Sequence, residues 1–182
     1  MKYLKNFFKH LHTVNKHRLL VFKLCIKAGI PWRGFVHDLS KYSPTEFFES
    51  VKYYVGDKSP IMLAKLDIGY SKAWLHHKGR NKHHYEYWYD YSLSKPEVVM
   101  PLKYFKEMIC DNLAAGLTYQ GKNWTKEYQL SYWNKVKDNA KMDERLKKLL
   151  TKIYTDISIY GINKVLNKNN LDTLYKEAIK GE

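Results

Sequence analysis

Apolar residues recur at helical spacing along most of this chain. Over residues 4–28 they return every three or four positions, which predicts a long first helix with one buried stripe, and Gly29 ends it. No segment alternates as a half-buried strand does, and neither a repeat nor a long linker divides the chain. The pattern therefore predicts an all-α fold, a helical bundle that forms a single domain over residues 1–182.

Prolines and further periodic stretches place the remaining helices. Pro31 opens a short helix, to about residue 41, that includes the adjacent His37 and Asp38. A loop is expected at residues 92–99. Further helices are predicted at residues 44–55, 60–77, 101–117, 125–137, 143–160 and 170–180.

Two local signals refine this outline. Ser43 is expected to cap the helix that follows it, with Glu46 completing a capping box. Residues 79–91 are ambiguous, because Gly79 could interrupt a continuous helix.

The composition indicates a folded chain with a strong positive charge. Hydrophobic residues make up 45% and charged residues 27%, which is typical of globular proteins. The net charge of +14 favours an anionic partner, such as a nucleotide, a nucleic acid or an acidic membrane surface. A lysine-rich surface that is merely solvated explains the charge equally well. The lysine-rich helices of residues 125–182 could cover the core, pair with a second chain or bind a polyanion, so the oligomeric state stays open.

Cysteine usage and hydropathy bear on the location of the protein. Cys25 and Cys110 both lie in apolar stretches, where we expect small buried residues in a reducing compartment. The N-terminal residues are too polar for a signal peptide, and no stretch approaches the roughly 20 apolar residues of a membrane span. We therefore expect a cytoplasmic protein without a membrane span.

All eight histidines lie in the first 84 residues, which points to a metal site. Neutral imidazole is the commonest protein ligand of transition metals. Taken one at a time, those of the first helix are more often structural or surface residues. The positions are His10, His12, His17, His37, His76, His77, His83 and His84.

Three features give this concentration chemical meaning. His37 and Asp38 lie in an apolar stretch, where polar groups are costly to bury unless something binds them, although a surface pair is the alternative. Four histidines fall within residues 76–84, which could instead form a basic surface helix. Asp111 lies among Ile, Cys, Leu and Ala, where we expect it to face a cation or a donor unless it occupies the exposed side of its helix.

In chain order these residues resemble the HD superfamily of metal-dependent phosphohydrolases. That family has a histidine on one helix, an HD pair on the next and an aspartate on a later helix, here His17, His37-Asp38 and Asp111. The lysine of its HD-x-x-K form corresponds to Lys41. The resemblance implies an all-α domain of HD type.

A closer resemblance is to a small family of unknown function with the features HDLSK and W-x-H-H-x-x-R-N-x-H-H-x-x-Y-W. The second feature matches residues 74–88, and the whole resemblance covers roughly residues 10–115. It implies an HD-like metal-site core at residues 10–117. The chain has no GYP tripeptide, which argues against the cyclic-dinucleotide branch of the superfamily.

The resemblance implies a set of ligands and a reaction. One or two divalent ions of manganese, iron, cobalt, nickel or zinc would act in hydrolysis of a nucleotide or nucleic-acid phosphoester. Asp38 would anchor one ion or bridge two. The metal ligands implied are His17, His37, Asp38 and Asp111 for one ion, then His77 with His83, His84 or both for a second, with His76 as a further candidate. Phosphate contacts are implied for Lys41, Arg80 and Lys82, and catalytic roles for Asp38, Lys41 and Arg80.

Two other functions are compatible with the same residues. Some HD-fold proteins are di-iron oxygenases with a histidine-rich site of this kind, and this chain could be one of them. The other is a nucleic-acid-binding module in which the metal is structural and the basic aromatic surface holds the polyanion.

Overall fold

The computed structural model describes residues 2–180 and confirms an all-α helical bundle that forms a single domain. These residues contain ten α-helices, four short 3₁₀ segments and no strand, with one isolated bridge between Tyr89 and Glu97. The helices are α1 (Lys2–Lys27), α2 (Pro31–Val36), α3 (Pro44–Lys52), α4 (Pro60–Ile68), α5 (Lys72–Lys78), α6 (Leu102–Gln120), α7 (Tyr128–Val136), α8 (Glu144–Tyr160), α9 (Ile162–Val165) and α10 (Lys168–Lys180).

The long helices α1 and α6 pack against each other at the centre of the fold. The buried stripe of α1 changes character along its length. Its C-terminal part buries Val21, Leu24 and Cys25, whereas its middle part buries His10 and His17. One helix face therefore contributes both to the apolar core and to a polar interior.

The C-terminal helices extend the apolar core. Helix α8 packs against α7, α9 and α10, and its buried residues join those of α1 and α6 in one cluster. Burial at about 25 cal/mol per Å² of apolar surface makes such a cluster the main source of stability. Cys25 and Cys110 are both fully buried in it, as their apolar surroundings predict.

The predicted second helix is wrong beyond Val36. Helix α2 ends there, His37 is extended, and Asp38 has a left-handed backbone with φ of 51°. A 3₁₀ turn, Leu39–Tyr42, follows. The left-handed residue cannot continue a right-handed helix, so the His37-Asp38 pair lies on a turn between helices and not inside one.

The predicted helix over residues 60–77 is also wrong, because two helices occupy it. Gly69 ends α4 with φ of 79°, a conformation that glycine adopts without steric cost. Ser71 then caps α5 by accepting a hydrogen bond from the backbone N–H of Trp74.

Other differences are smaller. Helix α3 ends at Lys52, a few residues earlier than predicted, and α9 was not predicted. Residues 79–91, ambiguous from the sequence, form turns and a 3₁₀ segment, Tyr85–Trp88. Within residues 2–180, no helix combines the length and apolar character that a bilayer span requires.

Candidate metal centre

The first group of polar residues lies where α1 faces α6. Nε2 of His17 on α1 is 2.9 Å from Oδ1 of Asp111 on α6. His17 lies seven residues after His10 on the same buried stripe, so the α-helical period alone turns it inward. Because the two central helices pack together, His17, the first predicted ligand in the chain, contacts Asp111, the last.

The turn between α2 and α3 adds two ligands to this group. The guanidinium of Arg18 holds the turn against α1, because it donates to the carbonyl oxygens of Phe35 and His37 at 2.9 and 2.8 Å. As a result, Nε2 of His37 lies 3.1 Å from Oδ2 of Asp38 and 3.4 Å from Oδ1 of Asp111.

A second group comes from α5 and the turn that follows it. Nε2 of His77 and Nε2 of His83 lie 3.4 and 3.5 Å from Oδ1 of Asp38. The chain reverses after α5, with the backbone N–H of Asn81 bonded to the carbonyl oxygen of His77. This reversal turns His83 back towards His77 and sets its ring centroid 4.3 Å from that of His84.

Asp38 belongs to both groups. Within each group, one donor atom per residue lies within 4.8 Å of the others, so either group could hold a metal ion. The first group is His17, His37, Asp38 and Asp111, and the second is Asp38, His77, His83 and His84. We call these the first and second donor groups.

The donor atoms themselves fit a cation. Several are buried without a hydrogen-bond partner in the described part of the chain, which normally costs a folded protein one to several kcal/mol each. The imidazole nitrogens approach the carboxylate oxygens within 2.9 to 3.7 Å, yet not with hydrogen-bond geometry. Lone pairs that converge in this way are satisfied together by a metal ion. The unpartnered atoms are Nε2 of His17, His37, His83 and His84, Nδ1 of His83, and both carboxylate oxygens of Asp38.

Glu107 contacts one histidine of each donor group. Its Oε1 lies 3.0 Å from Nδ1 of His37 and 3.3 Å from Nδ1 of His83, and its Oε2 accepts from Arg33 at 2.7 Å. Burial opposes its charge, but the hydrogen bond from His37, the neighbouring His83 and the hydrogen bond from Arg33 lower the pKa of Glu107 to about 2. An ionised carboxylate only accepts, so it keeps a proton on Nδ1 of His37 and directs Nε2 to the ligand cluster.

Glu46 has the same role for another pair of histidines. Its two carboxylate oxygens lie 2.6 Å from Nδ1 of His76 and 2.7 Å from Nδ1 of His77. Burial opposes its charge, yet the hydrogen bonds from His77 and His76 lower the pKa of Glu46. The predicted capping box is therefore only half correct. Ser43 does accept from the backbone N–H of Glu46, whereas the Glu46 side chain turns to the histidines.

Charge balance in the cluster suits metal ligands. Burial disfavours ionisation of Asp38 and Asp111, but the neighbouring imidazoles hold the pKa of each well below its usual range. Burial also disfavours the charged form of His37, but Asp38, Asp111 and Glu107 raise its pKa well above its ordinary value. A cation binding at Nε2 of His37 would displace that proton.

Two other histidines are kept neutral by their surroundings. Burial and the nearby Lys41 lower the pKa of His17, although Asp111 opposes them. Burial and the adjacent His83 hold the pKa of His84 well below its usual value. Neutral imidazole is the form that coordinates metals.

Lys41 reaches the cluster. Its Nζ is 2.7 Å from Oδ2 of Asp38, and its side chain is partly exposed. Burial opposes its charge, yet Asp38 and Asp111 raise the pKa of Lys41, so it stays cationic at physiological pH.

Three predicted site residues lie elsewhere. His76 is outside both donor groups, since its Nδ1 faces Glu46. Arg80 is exposed, and its guanidinium donates to the carbonyl oxygen of His76. Lys82 is exposed, and its Nζ lies over the ring of Tyr87.

A cavity of about 190 Å³ opens beside the first donor group. The turn at Lys41, the middle of α1, the start of α4 and α6 surround it. Its walls include His10, His17, Lys41, Ile61, Asp111 and Thr118. His12, by contrast, lies on the exposed face of α1.

Comparison with known proteins identifies a family, but the function of that family is unknown. The model of a family of unknown function (DUF5662) matches residues 6–156, which contain every member of both donor groups. No curated protein and no solved structure matches the chain.

Proposed function

The chain belongs to DUF5662, and we propose that within this family of unknown function it is a metal-dependent phosphohydrolase. The observation that carries the proposal is the position of Asp38 between two buried donor groups. Its Oδ2 faces His37 of the first group, and its Oδ1 faces His77 and His83 of the second. One carboxylate placed in this way could bridge two ions.

The order of the ligands supports the same reaction. A helical histidine, an HD pair and a later helical aspartate resemble the HD superfamily, whose members are metal-dependent phosphohydrolases. In this chain those residues are His17, His37-Asp38 and Asp111, and they converge although 94 positions separate the first from the last (111 − 17).

Imidazole and carboxylate donors together suit manganese, iron, cobalt, nickel or zinc better than calcium. Such ions, when bound, lower the pKa of a coordinated water and neutralise negative charge on phosphoryl oxygens. The residues of the chain supply the rest. Lys41 lines the cavity beside the first donor group and would hold a phosphoryl oxygen. Glu107 and Glu46 keep the histidine rings oriented.

The substrate is proposed to be an anionic phosphoester. The charge of +14 favours such a substrate and is compatible with a nucleotide or a nucleic acid, as the sequence analysis expects. Because that expectation rests on overall charge, the walls of the cavity are the better guide to the leaving group.

Activity assays with site variants test the proposal. Protein purified without chelator is assayed on phosphomonoesters and phosphodiesters with each of the five metals. We expect His37→Ala and Asp38→Ala to abolish metal-dependent hydrolysis, while circular dichroism shows the helical content unchanged. The matched control is His12→Ala, a substitution at an exposed histidine of α1, which should keep full activity. Full activity in Asp38→Ala would refute the proposal.

A di-iron oxygenase is the second candidate. The second donor group is compatible with it, because its three imidazoles and one carboxylate suit iron as well as the other metals named above. Iron-dependent visible absorbance together with oxygen consumption on an organic substrate would support this function. Colourless protein that hydrolyses a phosphoester with manganese would exclude it.

A further inference from the structure

The cavity beside the first donor group has the features of a leaving-group pocket. Its inner wall includes His17, Lys41 and Asp111, so a phosphoryl group held at the cluster would point its ester substituent into this space. The start of α4 also lines the cavity, with Pro60 and Ile61. A substituent bound there would contact these two residues.

The space beside the donor group accommodates a substituent of about one ring, and a larger leaving group would have to extend out of the cavity. The cavity measures about 190 Å³. An apolar cavity of about 150 Å³ in another protein accommodates benzene, whereas pockets for drug-sized ligands span about 300 to 1,000 Å³. A nucleoside combines a base with a sugar and needs more room than a single ring. The chain of a nucleic acid needs still more.

The walls favour a neutral substituent. Lys41 lines the cavity, but the function proposed above assigns it to the phosphoryl group itself. His10 adds no charge, because burial and then Lys41 lower its pKa to about 4. Apolar wall residues include Val14 and Ala115. Among residues 2–180, the cavity walls thus offer no second cationic group for a further phosphate or a carboxylate.

Two wall residues could still bond to a polar group on the ligand. Nδ1 of His10 and Oγ1 of Thr118 are both buried without a hydrogen-bond partner in the described part of the chain. A hydroxyl on the substituent can donate to one such atom and accept from another. These residues therefore suit an aryl or cyclic group that carries a hydroxyl besides its ester oxygen better than a plain hydrocarbon group.

Resting on the phosphohydrolase function proposed above, we propose that the substrate is a small phosphomonoester whose leaving group is one neutral ring or an alcohol of similar size. In its hydrolysis, the oxygen of water forms a bond to phosphorus while the bond from phosphorus to the ester oxygen breaks. The leaving oxygen takes up a proton, and the products are an alcohol and inorganic phosphate.

A graded set of substrates tests the size limit. The probes are phenyl phosphate, 1-naphthyl phosphate, adenosine monophosphate, bis(4-nitrophenyl) phosphate and a single-stranded oligonucleotide. We expect kcat/KM for phenyl phosphate to exceed that for adenosine monophosphate by about tenfold or more, a typical discrimination by pocket size. Equal or faster hydrolysis of the nucleotide or the oligonucleotide would overturn the inference while leaving the phosphohydrolase function intact.

Variants at Ile61 test whether this cavity sets the limit. Ile61→Ala enlarges the cavity and should raise kcat/KM for 1-naphthyl phosphate relative to phenyl phosphate by about tenfold. Ile61→Trp fills it and should lower kcat/KM for phenyl phosphate by a similar factor. The matched control is Leu63→Ala, on the same helix and equally half-buried but outside the cavity walls. An unchanged preference in both Ile61 variants would refute the assignment of the cavity.

A binding measurement separates this inference from the proposed reaction. Phenylphosphonate, which cannot be hydrolysed as an ester, is titrated calorimetrically into metal-loaded protein. We expect binding that Ile61→Trp weakens about tenfold and that Leu63→Ala leaves unchanged. If this is found and no ester is hydrolysed with any metal, the phosphohydrolase function fails but the size and class of the ligand stand. Absence of phenylphosphonate binding would overturn the inference.

Discussion

Asp38 shows how a single backbone conformation places a site. It is the one residue other than glycine with a positive φ in the described range of residues 2–180. Aspartate tolerates this conformation better than most residues, at a cost of roughly 1 kcal/mol or more. The left-handed turn brings the carboxylate between His37 on one side and His77 and His83 on the other. The left-handed backbone of Asp38 therefore costs free energy but places the carboxylate between the two donor groups, the feature from which we infer the function.

Glu107 permits a test of ring orientation at the scale of one residue. Glu107→Gln keeps the size of the side chain but removes the charge that pairs with Arg33 and fixes the Nδ1 proton of His37. We expect the affinity for the metal to fall about 10- to 100-fold, the usual effect of losing such a supporting carboxylate. Competition with a fluorescent chelator measures the affinity.

The control for this variant is Glu144→Gln, which makes the same chemical change at an exposed side chain of α8. It should bind metal as the unmodified protein does. Equal affinity in Glu107→Gln and Glu144→Gln would mean that Glu107 has no part in orienting the ligands.

At the scale of elements, periodic helices were predictable and local reversals were not. Helices α1, α6 and α8 follow from strong apolar periodicity, since burial of one stripe decides their structure. The turn at Asp38 depends on a left-handed residue that no apolar pattern marks. Gly69 is a residue type that often ends a helix, but the apolar residues on both sides of it predicted one continuous helix.

The supporting carboxylates illustrate a second limit of sequence reasoning. Glu46 matched a capping box, a local interaction, and so its long-range contact with His77 could not be inferred. Glu107 did carry a signal, because it lies four residues before Asp111 and therefore on the same face of α6. The five histidines and two aspartates of the donor groups could be grouped from the sequence only through a family resemblance, since most of their contacts form between distant elements.

The close approach of α1 and α2 gives a prediction at the element scale. A Cβ added at Gly34 would lie 2.6 Å from Cβ of Cys25 and 3.0 Å from Cα of Phe22. Because the Phe22 backbone cannot yield, Gly34→Ala should push α2 away from α1 and displace the adjoining turn with His37. We expect a loss of about 1 to 3 kcal/mol in the free energy of unfolding, typical of overpacking, and weaker metal binding. Urea titration measures the first effect and metal analysis the second.

Gly79→Ala is the control for the unfolding measurement. Gly79 is right-handed, and an added Cβ would meet nothing closer than 3.4 Å. Its substitution should be neutral or stabilise by a few tenths of a kcal/mol up to about 1. If Gly34→Ala is as stable as Gly79→Ala and binds metal fully, the contact between α1 and α2 does not position the site.

At the scale of the whole molecule, the donor groups and the apolar core divide the chain between them. Every ligand of both groups comes from α1, the turn after α2, α5 with its following turn, and α6. Helices α7 to α10 add none, and α7, α9 and α10 instead pack their apolar faces against α8. Metal binding should therefore stabilise the N-terminal part of the fold more than the C-terminal part.

Removal of the metal tests whether the ion stabilises the fold. An ion present at 100 times its dissociation constant stabilises the folded state by about 2.7 kcal/mol, which for a chain of this size corresponds to a Tm change of about 5 to 10 °C. We expect a chelator to lower Tm by that amount in the unmodified protein. Asp38→Asn should show no such response, because it lacks the carboxylate shared by both groups while asparagine still tolerates the left-handed backbone.

Hydrogen exchange should locate the effect. The segment from α5 through Trp88 is short and irregular, and His77, His83 and His84 tie it to the cluster. Its amides should lose protection when the metal is removed, because the three histidines then lose the ion that would join them to Asp38. The amides of α8 should keep their protection, since buried apolar residues hold that helix. Equal loss of protection in both segments would show instead that the metal stabilises the fold as one cooperative unit.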